Sequence, residues 1–455
     1  MTAFQSSVHG MVSTSTALLT DMYELTMIDA ALESGHASRR SVFEVFNRRL
    51  PSGRRYSVVA GIGRLLDAID DFRFTDSEID WLRDVGIVRP DTIEYLADYR
   101  FAGTVTSYAE GECFFPGSPI VTIEGTFAEA VILETVILSI LNHDCAVAAG
   151  ASRMVTAAHG RPCLEMGARR THEAAAVAAA RAAVVAGFSG TSDLEAARSH
   201  GLTPIGTAAH SFTLLHDDEE AAFDAQIATL GPGTTLLVDT YDVEQGVERA
   251  VAAARRAGGE LGAVRLDSGD LVAQAFTVRR QLDELGASST RIVVTSDLDE
   301  YAIAALGAAP VDSYGVGTKL VTGSGHPTAE LVYKLVARED AEGTMVPVQK
   351  ESTSKKSTGG RKFAGRVLES GSAVEELTAV TDDPVVAAAF LAESNARPLQ
   401  VPIVRDGVID ESHRGPDAIQ AAKDRHKISR DELPYSAWRL SDGDPALITR
   451  HVPLD

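Results

Sequence analysis

Hydrophobic and polar positions follow two different rhythms along this chain, and the change falls near residue 145. Before it, short β-like runs mix with helices. SVFEVFNRR (41–49) alternates and predicts a strand, and PSGRR (51–55) a turn. VTSYAEGE (105–112) and PIVTIEG (119–125) predict strands around the turn FFPGS, and an apolar helix is expected from Ala128 to Asn142. After about residue 150 a strand, loop and helix unit repeats. RPCLEMGARR (161–170) starts as a strand. EAAAVAAARAAVVAGF (173–188) is an Ala-rich helix, with Glu173 in its first turn and Gly187 near its end, both favourable positions. TPIGT (203–207), TTLLVDT (234–240), GAVRLD (262–267), RIVVTS (291–296) and DSYGVGT (312–318) predict further strands. Between them VEQGVERAVAAARRAG (243–258), GDLVAQAFTVRRQLDELG (269–286) and DLDEYAIAALG (297–307) predict helices.

Alternating units of this kind imply parallel strands with helices outside. The expected fold is α/β: an irregular (β/α) barrel over 146–345, and an α+β domain over 17–145 preceded by a flexible tail, 1–16. The region 346–455 is expected to pack back on the N-terminal domain. It holds a basic loop, VQKESTSKKSTGGRK (348–362), a strand-like VPIVRDG (401–407) and a charged helix, DAIQAAKDRHK (417–427).

Polar residues gather at the C-terminal end of each predicted strand. Arg169 and Arg170 are followed by Gly206 to Ser211, Asp239, Asp267, Ser296 with Asp297, and Gly315 to Thr318. In a barrel those ends meet at one mouth, where active sites are built; in an open sheet they line one edge. Taken singly, Asp297 could cap the following helix, and Ser268 with Gly269 could be turn chemistry.

Composition narrows the choice. The net charge of −22 and the pI near 5.0 argue against nucleic acid as a partner. Three scattered cysteines, Cys113, Cys145 and Cys163, fit a reducing cytoplasm and no zinc spacing. The N-terminus lacks a signal-peptide pattern. The most apolar runs are broken by Glu134 and Arg181, so no membrane span is expected.

Several constellations carry possible chemistry. Gly315, Gly317 and Thr318, with Lys319 beyond, form a turn whose N–H groups and hydroxyl could hold a phosphate. Arg169 and Arg170 suggest an anion site, with a surface ion pair as the rival reading. Arg265 and Asp267 share strand parity and so one side of the strand; they suit a substrate with anionic and hydroxyl groups, or pair with each other. His210 lies among small residues directly after a strand.

Read together these stretches resemble the nicotinate phosphoribosyltransferase family, with its type II phosphoribosyltransferase fold. The matching segments are TDMYELTM (20–27), FEVFNRRLPSGRRYSVVAG (43–61), EGECFFPGSP (110–119), ETVILSILN (134–142), GARR (167–170), AGFSGTSD (186–193), PIGTAAHSF (204–212), TLLVDTYDVEQGV (235–247), VRLDSGD (264–270), YGVGTKL (314–320) and VYKLV (332–336). The basic loop near Lys350 and Lys355 is similar too, and the resemblance runs from about residue 17 to 410 in one order.

The resemblance implies that nicotinate displaces pyrophosphate from phosphoribosyl pyrophosphate, with Mg²⁺, to give nicotinate mononucleotide in NAD biosynthesis. It implies coupling to ATP hydrolysis through a phosphohistidine at His210, which makes the activity ligase-type. Asp239 then matches the carboxylate near that His. Arg265 and Asp267 match the groups holding base and ribose, and Gly315, Gly317 and Thr318 the turn holding the 5′-phosphate. Arg169 matches an Arg near base and phosphates; Arg170 and Ser296 stand with it as binding residues. Tyr23 matches an aromatic that stacks on the pyridine from the neighbouring subunit, implying a homodimer with shared sites. Two positions depart from the pattern. Met166 stands where the family often has Phe. Ser192 stands where nicotinamide-using relatives carry Asp, which favours an anionic acid substrate, although Asp193 lies one residue on. The rivals are transfer to nicotinamide or quinolinate, a regulatory protein on the same scaffold, and a barrel forming a Schiff base at Lys319 or Lys334.

Overall fold

The computed structural model describes residues 15–350 and 358–454. The greater part of the expected tail, and residues 351–357 of the basic loop with Lys355, lie outside those described residues. Two sheets set the architecture. The first has seven antiparallel strands in the order Met345–Pro347, Leu331–Glu339, Arg40–Asn47, Val121–Thr126, Thr104–Tyr108, Gln400–Arg405 and Val408–Ile409. Chain from beyond residue 330 therefore returns to flank the N-terminal strands. A four-stranded sheet from the C-terminal region, Ala396–Pro398, Lys362–Glu369, Ser372–Val380 and Thr449–Pro453, lies with it.

The strand Arg40–Asn47 is buried on both faces after its first residue, although its sequence alternates. Glu44 makes this possible: Lys362 Nζ lies 2.8 Å from its carboxylate, and both side chains are buried. A paired charge can occupy a position that an unpaired one could not.

The second sheet is parallel, in the order Cys163–Glu165, Ser313–Val316, Arg291–Val294, Ala263–Leu266 and Thr235–Leu237. The helices Glu173–Val185, Val243–Arg256 and Leu271–Glu284 lie between its strands in sequence, as the repeat predicts. Beyond Cys163–Glu165 the sheet continues only as single bridges, Glu165 to Thr191 and Thr191 to Pro204. TPIGT, expected as a strand, thus contributes one bridge. The bridge is made by the Thr203 carbonyl and the Ile205 N–H; Pro204 between them has no N–H to offer on the opposite side, towards Thr235. Between Pro204 and Thr235 no ladder joins the two ends among the described residues. The mixed α/β class is as expected, and the parallel strands form an arc that stays open at this seam.

One helix, Glu134–Ala157, connects the two layers and extends well past the expected end at Asn142. Val136, Ile137 and Leu141 belong to the core of the antiparallel layer, and Val147, Ala148 and Ala151 to that of the parallel layer. Together with Phe127–Val131 before it, this run is long and apolar enough to cross a membrane by length and composition, contrary to expectation. It is mostly buried within the protein, and its charges are matched: Asp144 pairs with Arg64 at 2.7 Å, and Arg153 with Glu300 at 2.9 Å.

Candidate functional site

The polar strand ends converge as the sequence suggests. The strand Thr235–Leu237 delivers Asp239 and Thr240, and Ala263–Leu266 delivers Arg265 and Asp267. Arg291–Val294 delivers Thr295, Ser296 and Asp297, and Ser313–Val316 delivers Gly315, Gly317 and Thr318.

His210 opens the short helix His210–Leu215 beside the seam, and its side chain is 41% exposed. Thr240 Oγ1 lies 3.1 Å from its Nδ1. Its Nε2 faces two carboxylates, Asp239 Oδ1 at 4.0 Å and Asp267 Oδ2 at 3.9 Å. Asp239 is held from its other oxygen: Oδ2 accepts from the Asp267 N–H at 2.9 Å and from Ser268 Oγ at 2.8 Å. Its Oδ1 is buried and has no hydrogen-bond partner among the described residues, so it stands ready to accept from the imidazole. Ser268 therefore serves this carboxylate, not only the turn.

Arg265 and Asp267 pair with each other, NH2 to Oδ1 at 3.2 Å. The guanidinium also donates from Nε to Thr295 Oγ1 at 2.9 Å, and from NH1 to Thr207 Oγ1 at 3.3 Å and the Ala208 carbonyl at 3.4 Å. Four contacts thereby draw on its five N–H groups. The second N–H of NH2 remains for a carboxylate or phosphate oxygen.

The glycine turn is built for close approach. A Cβ on Gly315 would lie 2.5 Å from Thr295 Cγ2 and 2.7 Å from Met166 Sδ. Thr318 Oγ1 lies 3.4 Å from Asp297 Oδ1. Asp297 is not the helix cap it could have been: Asp299 caps Glu300–Ala305, accepting from the N–H groups of Tyr301 and Ala302. Ser296 has a φ of 128°, a left-handed conformation that non-glycine residues adopt at a cost.

Arg169 and Arg170 lie in the single turn Ala168–Arg170 directly after the strand Cys163–Glu165. Both are exposed, and neither forms an ion pair among the described residues, so the surface-pair reading is not supported. Ser192 is half-buried at the adjoining bridge, its N–H donating to the Glu165 carbonyl at 2.9 Å. Asp193 is spent as the cap of the helix Leu194–His200.

Tyr23 has its contacts elsewhere in the chain. It is 43% exposed on the N-terminal helix Met22–Glu33, where partial burial and the neighbouring Glu134 push its hydroxyl up to about 12. Lys334 lies in the antiparallel sheet, 3.6 Å from Glu134, away from the strand ends of the parallel arc.

Sequence reasoning missed four residues of the site. Thr240, Thr295 and Thr207 hold His210 and Arg265. Glu165 is a fully buried carboxyl that braces the Gly167 N–H and the Thr191 hydroxyl, and burial pushes its pKa up.

Comparison with known proteins bears on this arrangement. A model described as the nicotinate phosphoribosyltransferase (NAPRTase) N-terminal domain matches residues 18–142, and one described as the nicotinate phosphoribosyltransferase (NAPRTase) family matches residues 162–384. Nicotinate phosphoribosyltransferase pncB1 of Mycobacterium tuberculosis is 54% identical over 447 residues, 96% of this chain and 95% of its own. Nicotinate phosphoribosyltransferase of Homo sapiens is 30% identical over 436 residues, 81% of this chain and 80% of its own. The crystal structure of human nicotinic acid phosphoribosyltransferase superimposes with a TM-score of 0.79 at 24% identity, covering 94% of this chain and 97% of its own. Nicotinate-nucleotide pyrophosphorylase from Pyrococcus furiosus gives 0.72 at 23% identity, covering 95% and 99%. At such identities the two structures establish the fold alone.

Proposed function

The chain belongs to the nicotinate phosphoribosyltransferase family, and on that premise we propose that it joins nicotinate to phosphoribosyl pyrophosphate, with ATP hydrolysis coupled through His210. The pyridine nitrogen attacks C1 of the ribose as the bond from C1 to the pyrophosphate oxygen breaks. The products are nicotinate mononucleotide and pyrophosphate. Nicotinate is already nucleophilic at that nitrogen, so the protein needs no strong general base. It must align three partners and stabilise charge. Arg265 offers the free N–H of NH2 to an anion such as the nicotinate carboxylate. Gly315, Gly317 and Thr318 receive the 5′-phosphate, with Ser296 beside them. Arg169 and Arg170 meet further phosphate charge, and Ser192 contributes no carboxylate to repel an acid.

The observation that carries the ATP coupling is the asymmetry around His210. Two carboxylates face Nε2 and a hydroxyl faces Nδ1. Carboxylates favour a proton on the nitrogen they face. The lone pair is then on Nδ1, which attacks the terminal phosphorus of ATP and expels ADP. Water later cleaves the N–P bond and releases phosphate.

Magnesium fits this site as an ion carried chiefly by phosphate oxygens. No cluster of three or more His, Cys, Asp or Glu able to cage a metal occurs among the described residues. Asp267 and Asp297 are the accessible carboxylates that would complete its shell. It would supply charge neutralisation for the leaving pyrophosphate.

Exposed Leu19, Met22 and Tyr23 on the N-terminal segment, and exposed Leu214, Leu215 and Tyr241 beside His210, support a homodimer whose subunits share sites. Three buried free cysteines support a cytoplasmic location.

Incubation with γ-labelled ATP tests the coupling. The expected label is acid-labile and base-stable and is absent from His210→Ala. No label on the wild type, with nicotinate turnover indifferent to ATP, refutes it. Product formation with each pyridine tests the substrate, and a dominant rate on nicotinamide or quinolinate overturns that assignment.

A further inference from the structure

Thr295 follows the strand Arg291–Val294 and is 3% exposed. Its N–H donates to the Leu266 carbonyl at 2.9 Å, docking it against the neighbouring strand. Its hydroxyl stands between two functional side chains: it accepts from Arg265 Nε at 2.9 Å and donates to Asp267 Oδ1. Its methyl faces Gly315, where a Cβ would come within 2.5 Å. A β-branched side chain has few rotamers to begin with. Here the wall at Gly315 and the two polar partners leave it one orientation.

That orientation fixes what its partners present to the cleft. Asp267 has Oδ1 held by Thr295 and Arg265, so Oδ2 is the oxygen that faces His210 Nε2 at 3.9 Å. Arg265 has Nε tied to Thr295, NH1 to Thr207 and Ala208, and NH2 to Asp267 by one contact, so the second N–H of NH2 remains free. Without the hydroxyl, Asp267 can turn to take Nε and NH2 of Arg265 with both oxygens. That two-point pairing is the favoured geometry of an Arg with a carboxylate. It would re-aim the guanidinium and draw Oδ2 away from His210.

We propose that Thr295 is a positioning residue that sets specificity: its hydroxyl, bonded to both Arg265 and Asp267, fixes how the two sit together so that the free N–H of the guanidinium stays aimed at the carboxylate of the pyridine base. This rests on the reading that the chain transfers a phosphoribosyl group to nicotinate. An uncharged amide draws less from the guanidinium than a carboxylate does, so the residue governs the preference for acid over amide.

Steady-state kinetics of the purified full chain, with phosphoribosyl pyrophosphate, Mg²⁺, and nicotinate or nicotinamide, test the assignment. Thr295→Val keeps the shape and removes the hydroxyl. Its KM for nicotinate should rise about tenfold or more, the scale of a lost buried hydrogen bond to charged groups. The preference for nicotinate over nicotinamide should fall by about the same factor as the nicotinate KM rises. Thr295→Ser, which restores the hydroxyl, should recover most of the loss. If the valine variant does not fold, the contrast of Thr295→Ser with Thr295→Ala carries the same comparison. A purely structural role would move every constant for both bases together. The assignment is overturned by an unchanged nicotinate KM in the hydroxyl-free variant, by equal losses on both bases, or by a serine variant no better than the hydroxyl-free one. A wild type that makes no nicotinate mononucleotide would overturn the functional reading itself, and the role of Thr295 with it.

Discussion

Glu24 is fully buried on the N-terminal helix, with hydroxyl partners at Thr20 and Thr135, the Thr135 N–H, and, among the described residues, no cation bonded to it. Burial pushes its carboxyl up from 4.5 to about 7. Between those values the folded chain holds a proton that the unfolded chain has released. Stability therefore falls as pH rises through that window. Glu24→Gln, a mimic of the protonated form, should match the wild type below pH 4.5 and exceed it above pH 7. Thermal midpoints at the two ends measure this, and a wild type that gains on the variant with rising pH would contradict it. At this scale the sequence was legible where a residue sat in a pattern. His210, Asp239, Asp267 and the Gly315 turn all follow apolar runs. Thr240, Thr295 and Thr207 act through hydrogen bonds to other strands, and a lone threonine carries no periodic signal of such partners.

Among the elements, the strand Ser313–Val316 shows how closely two strand ends meet. Gly315 has no room for a methyl group beside Thr295 and Met166. Gly315→Ala must displace both, and overpacking of this kind costs about 1–3 kcal/mol. Because Thr295 holds Arg265 and Asp267, kcat/KM should fall at least about tenfold, the equivalent of about 1.4 kcal/mol. Activity and thermal midpoint measured together check this, and a fully active variant would show that the turn yields more readily than its packing implies. The elements themselves were largely readable, because buried parallel strands and amphipathic helices each impose a period. Two were not. The helix Glu134–Ala157 hides its length because Asp144 and Arg153 look like solvent positions until Arg64 and Glu300 arrive from distant sequence. The strand Arg40–Asn47 alternates yet is buried on both faces, through Lys362. Long-range ion pairs leave no local trace.

Across the whole molecule, one buried and two half-buried histidines oppose stability at the acid end. His200, His426 and His451 are each pushed down from 6.5 to about 4, chiefly by burial. His426 shows the cost: one ring nitrogen lies 3.2 Å from the Gly111 carbonyl and the other 2.9 Å from Ser152 Oγ, an arrangement that suits the neutral ring. As pH falls from 6.5 towards 4, the unfolded chain takes up protons that the folded chain refuses, and stability is lost across that window. Over this range the urea midpoint of the wild type should fall relative to that of His426→Gln; parallel midpoints would remove His426 from the account. The direction opposes that of Glu24. The fold class was legible from the alternation of strands and helices, but the seam was not, since it depends on which strands fail to meet.

That seam has a consequence for motion. Among the described residues, the N–H groups of Gly206, Thr207, Ala208 and Ala209 donate to no backbone carbonyl. The stretch leading to His210 can therefore open to solvent without breaking a ladder, at a free energy far below that of global unfolding. The side chain proposed to carry a phosphoryl group sits at the end of a slack length of backbone, while the acids and hydroxyl that face it are fixed to strands. Local fluctuation there changes the position of the imidazole relative to its partners and leaves the partners where they are.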